Sequence, residues 1–295
     1  MTEGSIILPD HRKLGYSVYG AMGARPVLYF HGTPSSRLEL NFLFEHGINL
    51  EKYLSDARLQ LIAVDRPGMG LSSFNANGSF LSFADDIIHL LRALEISHCA
   101  VLCWSGGGPY ALAAAWKYPS LIKQVFIICG FSRQFTKDVI SKMSRNKWYF
   151  LTAKNAPWLM EFFMNWLRKI IPHRSLPQWI TRLPEADYEL IKTPQHLQAL
   201  ATLSIKEACR AGARGAVYEA RLYFQNFAFQ LSQIEQPVHY WWGTDDDSVI
   251  RFHAEAVERQ VKNSVLHYME GEGHLSIYIH CFKDILQTIK ATTES

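Results

Sequence analysis

Residues 100–107 read AVLCWSGG and place a serine directly after a short apolar run. The run Ala100–Trp104 predicts a buried strand, and the stretch from Gly107 to Trp116 predicts a helix. Ser105 therefore lies on a sharp strand-to-helix turn, where small residues two positions before and after it let the backbone pass without collision. Such a turn lifts the hydroxyl out of the sheet and directs the N–H groups of the helix start toward nearby negative charge. The alternative is a glycine-rich turn whose serine has no role.

Apolar runs of similar length recur along the chain and predict further strands. They are Val27–His31, Leu61–Asp65, Val125–Cys129, Val238–Trp242 and Val265–Met269. Runs of this kind are typical of a parallel sheet that is covered on both faces. Helical spacing of apolar residues over roughly 82–95 and 275–289 places helices between and after them. Strands that alternate with helices predict an α/β fold.

The strand pattern is interrupted between Phe131 and Gln236, where prolines divide the sequence into short helical stretches. We therefore expect a discontinuous α/β core, residues 1–130 and 237–295, and a helical insertion, residues 131–236. The insertion holds 15 Lys and Arg against 8 Asp and Glu, a net charge of +7. A basic lid that attracts anionic substrates and a solvated helical face both account for this charge.

Aromatic residues are concentrated in one part of the insertion, residues 147–171. They are Trp148, Tyr149, Phe150, Trp158, Phe162, Phe163 and Trp166. Such side chains can line an apolar pocket or contact a membrane surface. The favoured interpretation is that they pack the insertion onto the core.

The composition is that of an ordinary globular protein. Hydrophobic residues make up 48% and charged residues 19% of the 295 residues, which excludes a disordered chain, a coiled coil and a collagen-like fibre. The net charge of +3 is too small to predict a nucleic-acid partner. Five cysteines without a Cys-x-x-Cys pair favour reduced thiols. We expect a cytoplasmic protein that acts on a small molecule. The sequence leaves open whether the protein forms a homodimer.

Two features of the sequence argue against membrane insertion. Residues 1–20 lack the basic and apolar regions of a signal peptide. The uncharged stretch 97–116 has the length of a span, but three consecutive glycines and a proline interrupt it. We therefore expect no stable membrane insertion.

A serine nucleophile needs a base, and the base needs an orienting carboxylate. Among twelve histidines, His274 is the best placed, because it follows the last predicted strand in the glycine-containing loop 271–274. The alternative is a surface-loop histidine. Asp245, Asp246 and Asp247 follow the strand that ends near residue 242, and a solvated acidic turn is the alternative for this cluster.

A negative charge on a reacting oxygen requires two N–H donors. The N–H of Gly106 is one candidate, and the N–H of Thr33, directly after the first core strand, is the other. His31 is interpreted as a structural residue of the same loop. Arg37 follows this loop, and a structural salt bridge is favoured for it over binding of a substrate carboxylate.

These residues resemble the α/β-hydrolase fold family over nearly the whole chain. The order Ser105, Asp246, His274 is the family's Ser…Asp…His order. Residues 31–34 (HGTP) are similar to its H-G-x-P oxyanion loop, and residues 65–72 (DRPGMGLS) are similar to its D-x-x-G-x-G-x-S turn. The resemblance implies a mostly parallel sheet flanked by helices, with residues 131–236 as an inserted helical cap.

Two further features of the sequence, one that matches the family and one that departs from it, bear on the resemblance. Gly243, Asp246 and Val249 match the family's spacing around its acid, which favours Asp246 over its two neighbours. Cys103 departs from the family, which has glycine there. Because cysteine is small, we expect the turn to survive.

The resemblance implies a serine hydrolase of the carboxylesterase class that cleaves an ester or related acyl bond of a small apolar substrate through an acyl-enzyme. Ser105 stands where dehalogenase and epoxide-hydrolase relatives use aspartate, which argues against both. A carbon–carbon bond hydrolase with the same triad and a non-catalytic ligand-binding protein are the alternatives. The sequence contains no metal or cofactor motif, so we expect no cofactor and no metal ligands.

Overall fold

An eight-stranded sheet forms the centre of the computed structural model, which describes residues 1–144, 146–171 and 178–293. The strands are β1 (Thr2–Ile7), β2 (Lys13–Tyr19), β3 (Arg25–Phe30), β4 (Leu59–Val64), β5 (Cys99–Trp104), β6 (Ile122–Ile128), β7 (Val238–Gly243) and β8 (Ser264–Met269). Their order is β1-β2-β4-β3-β5-β6-β7-β8. The pairs β1–β2 and β2–β4 are antiparallel, and all others are parallel. The predicted α/β fold with a mostly parallel sheet is confirmed.

Burial explains which strands the sequence revealed. Strands β5 and β7 are buried throughout, so both faces are apolar and the sequence shows a continuous apolar run. Strand β1 lies at the sheet edge and is largely exposed. Strands β1 and β2 were not predicted, because β1 is largely exposed and the apolar residues of β2 are interrupted by Gly15 and Ser17.

Helices flank the sheet and fill the connections between its strands. Those outside residues 131–236 are α1 (Asn41–Glu45), α2 (Leu50–Ala57), α3 (Phe80–Ala93), α4 (Gly108–Lys117), α11 (Phe252–Gln260), α12 (Ser276–His280) and α13 (Phe282–Thr293). A capping box between Ser79 and Ser82 begins α3. The prediction of a single closing helix over 275–289 is wrong, because the helix is interrupted at Cys281 and forms two helices, α12 and α13.

Only helical elements occur in the described residues between β6 and β7. They are α5 (Lys137–Lys142), α6 (Lys147–Asn155), α7 (Pro157–Ile170), α8 (Glu185–Ile191), α9 (Pro194–Ala201), a π-helical turn (Thr202–Lys206), α10 (Arg214–Leu222) and two short 3-10 helices (Gln178–Arg182 and Leu231–Gln233). We call residues 131–236 the insertion. No helix in the described part of the chain is both long and apolar enough to cross a membrane.

The parallel strands bring four loops to one edge of the sheet. Strands β3, β5, β7 and β8 all run in the same direction. The segments that follow them start at His31, Ser105, Thr244 and Glu270. The carboxyl ends of such strands are where open α/β sheets bind ligands. All the candidate site residues predicted from the sequence therefore belong to this edge.

A buried ion-pair cluster joins the first loop to the insertion. Arg37 is 1% exposed, and its guanidinium lies 3.0 Å from Asp65 and 2.7 Å from Glu207 of the insertion. It also contacts Glu3 on the edge strand. Three carboxylates of the protein surround this buried guanidinium, which agrees with the favoured structural interpretation of Arg37.

We expect Arg37→Met to lower the free energy of unfolding by about 3 kcal/mol, because Asp65 then stays buried without its guanidinium partner. Chemical denaturation of the purified protein measures this loss. Lys52→Met is the matched control, since Lys52 and Asp56 form an exposed pair one helical turn apart and such pairs contribute little. A loss no larger than that of the control would contradict the structural role of Arg37.

Candidate active site

Ser105 lies on a tight turn between β5 and α4 and has a backbone φ of +51°. This left-handed conformation is uncommon for a residue with a side chain and is held here by close packing. A Cβ at Gly107 would lie 2.4 Å from the carbonyl oxygen of Phe30 and 3.0 Å from Cβ of Cys103. The Cys103 side chain therefore fits because Gly107 has none, which explains how the turn tolerates the departure at position 103.

The structure brings Ser105, His274 and Asp246 together in one hydrogen-bonded row. His274 Nε2 lies 2.9 Å from Ser105 Oγ, and His274 Nδ1 lies 2.8 Å from Asp246 Oδ2. The other carboxylate oxygen of Asp246 accepts hydrogen bonds from the backbone N–H groups of Ser248 and Val249, both at 2.8 Å. These bonds fix the carboxylate so that one oxygen faces the imidazole.

The neighbouring aspartates occupy different surroundings from Asp246. Asp245 is exposed, and its Oδ1 lies 3.4 Å from the hydroxyl of Thr244. Asp247 is half-buried and lies 3.4 Å from the hydroxyl of Ser248. Of the three candidates, the buried Asp246 is the one that the structure joins to His274.

An indole ring supports the imidazole of His274. The ring of Trp104 stacks on His274 with centroids 5.1 Å apart, and its Nε1 donates a hydrogen bond to the His274 carbonyl oxygen at 3.2 Å. Tyr278 stacks on the same indole. The sequence placed Trp104 in the strand, but nothing in its spacing pointed to His274, which lies 170 residues away.

A carboxylate from the insertion holds the loop that carries His274. Asp187, on α8, accepts hydrogen bonds from the backbone N–H groups of His274, Leu275 and Ser276, each at 2.9 Å. It is buried, and burial raises its pKa although the backbone N–H groups oppose that shift. Sequence reasoning missed this residue, because it belongs to no motif.

The candidate oxyanion loop lies directly against the turn at Ser105. A Cβ at Gly106 would lie 2.0 Å from Oγ1 of Thr33, so the two predicted donor residues are neighbours. Tyr223 follows α10, and its hydroxyl lies 2.9 Å from Thr33 Oγ1 and donates to the carbonyl oxygen of Gly106 at 2.7 Å. Thr33 Oγ1 also donates to Glu219 Oε2 at 2.7 Å. The insertion thus contacts both Thr33 and Gly106.

Buried charges fix the loop from beneath. Both oxygens of Glu39 accept from the backbone N–H of Gly32, and burial raises the pKa of Glu39 to about 6. The guanidinium of Arg66 binds the carbonyl oxygens of His31 and Gly32 and pairs with Glu219. His31 is fully buried, and burial lowers its pKa, so it stays neutral and serves the loop structurally.

The charges around His274 suit it to accept a proton. Burial lowers the pKa of the imidazole, but the carboxylates of Asp246, Asp187 and Asp247 outweigh burial and raise it above its usual value. A more basic imidazole is a stronger proton acceptor, and Asp246 fixes the tautomer whose Nε2 faces Ser105. The arrangement can therefore activate the hydroxyl of Ser105.

One group of possible metal ligands occurs in the described residues at this site. Cys129, Asp246 and His274 each place a ligand atom within 4.8 Å of the others. Asp246 and His274 already hydrogen-bond each other, and burial followed by the charge of Asp246 raises the pKa of the Cys129 thiol well above its usual value. The hydrogen bond between Asp246 and His274 and the burial of Cys129 account for these three side chains as parts of the serine site.

We expect Asp187→Asn to lower the pKa of His274, because it removes one of the carboxylates that raise it. Titration of the imidazole by NMR measures the shift, and thermal unfolding checks that the variant is folded. Asp245→Asn removes the same charge from an exposed position and should leave the pKa of His274 unchanged. Equal titration curves for Asp187→Asn and the wild type would refute the electrostatic link.

Comparison with known proteins agrees with this fold. The family model described as the alpha/beta hydrolase fold matches residues 25–280. An uncharacterized hydrolase of Saccharomyces cerevisiae is 27% identical over 286 residues, which cover 93% of this chain and 91% of that protein. A 2-(acetamidomethylene)succinate hydrolase of Mesorhizobium japonicum is 38% identical over 108 residues, and this match spans only 36% of either chain. A solved esterase from Rhodococcus sp. ECU1013 superposes over 99% of both chains with a TM-score of 0.70 and 19% identity. The chain belongs to the α/β-hydrolase fold family.

Proposed function

We propose that the protein is a serine hydrolase of the carboxylesterase class that cleaves an ester or related acyl bond of a small apolar substrate. The observation that carries this proposal is the continuous row from Ser105 Oγ through His274 to Asp246, with both contacts under 3 Å. A serine, an imidazole and a carboxylate in this order form the arrangement that activates a serine nucleophile.

The proposed reaction forms and then hydrolyses an acyl-enzyme. Ser105 Oγ bonds to the substrate carbonyl carbon as its proton passes to His274 Nε2, and Asp246 stabilises the imidazolium. The backbone N–H groups of Thr33 and Gly106 stabilise the oxyanion. His274 then gives the proton to the leaving oxygen, and the bond from that oxygen to the carbonyl carbon breaks. Water repeats the sequence on the acyl carbon and releases the acid and free Ser105.

Residues 131–236 serve as a cap in this proposal. Asp187 holds the loop of the base, while Glu219 and Tyr223 hold the loop of the proposed oxyanion donors. Ser105 itself is only 8% exposed, so the substrate reacts in a largely enclosed place. The esterase with the same fold supports acyl-bond cleavage as the reaction class.

We expect Ser105→Ala to abolish hydrolysis of p-nitrophenyl acetate and butyrate and to prevent labelling by a fluorophosphonate probe, because both reactions need the hydroxyl of Ser105. Thermal unfolding of the variant should match that of the wild type. Retained hydrolysis in Ser105→Ala would refute the mechanism. A wild-type protein that resists the probe would favour a ligand-binding role, and turnover confined to ring-fission diketones would favour carbon–carbon bond cleavage.

We expect Asp246→Asn to lower kcat/KM by about 10³- to 10⁴-fold, because an amide cannot hold the imidazole in the required tautomer or balance its charge. Asp245→Asn is the matched control and should keep activity within about threefold, since exposed substitutions away from the reacting groups have small effects. Steady-state kinetics on p-nitrophenyl butyrate compare the two. The opposite pattern would assign the acid to Asp245.

A further inference from the structure

The aromatic residues of α6 and α7 lie mostly at the surface. Of the seven aromatic residues in 147–171, Phe150 is buried and Tyr149 is half-buried. The other five are Trp148 (65% exposed), Trp158 (73%), Phe162 (70%), Phe163 (46%) and Trp166 (49%). The expectation that these residues pack the insertion onto the core is therefore wrong for five of them.

Exposed apolar side chains recur at helical spacing along one side of α7, which we call the aromatic face. It consists of Trp158, Leu159, Phe162, Phe163, Trp166 and Ile170. Trp148 is exposed on the neighbouring helix α6. Contiguous exposed apolar surface of this kind marks an interaction site in a folded protein.

The aromatic face is not needed to hold α7 on the protein. The opposite side of the helix buries Met160 and Met164, and Leu167 packs beside them. Asn165 accepts a hydrogen bond from the backbone N–H of Ala213, and Tyr149 on α6 donates to the carbonyl oxygen of Ala216 on α10. The helix is thus anchored, and its outer side is free to meet a partner.

The dimensions of α7 restrict the partner to one that lies alongside it. The helix has 14 residues, about 21 Å at 1.5 Å per residue, which is too short to span a bilayer of about 30 Å. Tryptophan and phenylalanine on one side of such a helix are typical of segments that lie in the headgroup region. Tryptophan prefers that region because its ring is apolar and its N–H is polar.

Charge distinguishes a bilayer from a second copy of the chain. Lys147 lies beside Trp148, Lys154 is near the end of α6, and Lys169 is near the end of α7, while Glu161 is the acidic residue of α7. The insertion as a whole carries a net charge of +7. A symmetric dimer through this face would bring like charges together, whereas an anionic lipid surface would attract them.

We propose that the aromatic face binds the surface of a bilayer that contains anionic phospholipids, with α7 lying in the plane of the headgroups. Tyr149 on α6 is hydrogen-bonded to α10, and Asn165 on α7 is hydrogen-bonded to the residue before α10. Helix α10 in turn carries Glu219, which contacts Thr33. The bound bilayer would therefore lie on the insertion side of the site. This proposal is independent of the hydrolase reaction, since binding needs no turnover.

Vesicle co-sedimentation of the full chain tests the proposal. We expect binding to phosphatidylcholine vesicles with about one-third phosphatidylglycerol to be at least about tenfold tighter than to pure phosphatidylcholine, and to weaken as salt rises above about 0.1 M. The double variant Trp158→Gln, Phe162→Gln should bind at least about tenfold more weakly, because it removes two large apolar contacts. A blue shift of tryptophan emission on binding reports burial of the face.

The matched control replaces two exposed apolar residues that lie outside the insertion. Ile7→Gln, Met22→Gln alters side chains that are 67% and 94% exposed, and it should bind like the wild type. Absence of wild-type binding, or equal binding by the Trp158→Gln, Phe162→Gln variant, would overturn the proposal. A wild-type dimer in light scattering that this variant converts to a monomer, without vesicle binding, would instead assign the face to a second copy.

Discussion

The left-handed backbone at Ser105 is the constraint on which the rest of the site depends. That conformation turns the chain from β5 into α4 within a few residues, and it is held because Gly106 and Gly107 have no side chains of their own, which lets other parts of the protein pack there. The loop at Thr33 occupies one of these spaces, and the carbonyl oxygen of Phe30 occupies the other. In this setting the hydroxyl of Ser105 lies 2.9 Å from Nε2 of His274. A side chain at either glycine would collide with Thr33 or with Phe30, and it would therefore displace the turn that carries Ser105.

The insertion completes the site electrostatically. It contributes two buried carboxylates, Asp187 and Glu219, to an edge of the sheet whose own loops already contain Asp246 and Glu39. Each carboxylate is satisfied by backbone N–H groups, an arginine or a hydroxyl, so its burial is compensated. The basic net charge of the insertion thus coexists with acidic residues at its contact with the site.

The sequence predicted those features whose signals are local. The strand-to-helix turn at Ser105, the loop at Thr33 and the spacing from Gly243 to Asp246 are each contained in a few consecutive residues, and the structure brings them to one edge of the sheet. Asp187, Glu219 and Tyr223 reach the site from isolated positions in the insertion, with no pattern to mark them. The aromatic face was misjudged for a related reason. Apolar residues on two sides of a short helix look the same whether one side or both are buried.

The three hydrogen bonds from the His274 loop to Asp187 limit how a substrate can enter. If α8 moved away, three backbone N–H groups would lose their acceptor together, at about 1–3 kcal/mol for each that stayed buried. His274 would lose its position when α8 moved, because its own backbone N–H is one of the three. Opening by a rigid swing of the whole insertion is therefore unfavourable. Exchange of molecules with the site is therefore expected to use smaller movements that leave α8 docked on the loop of His274.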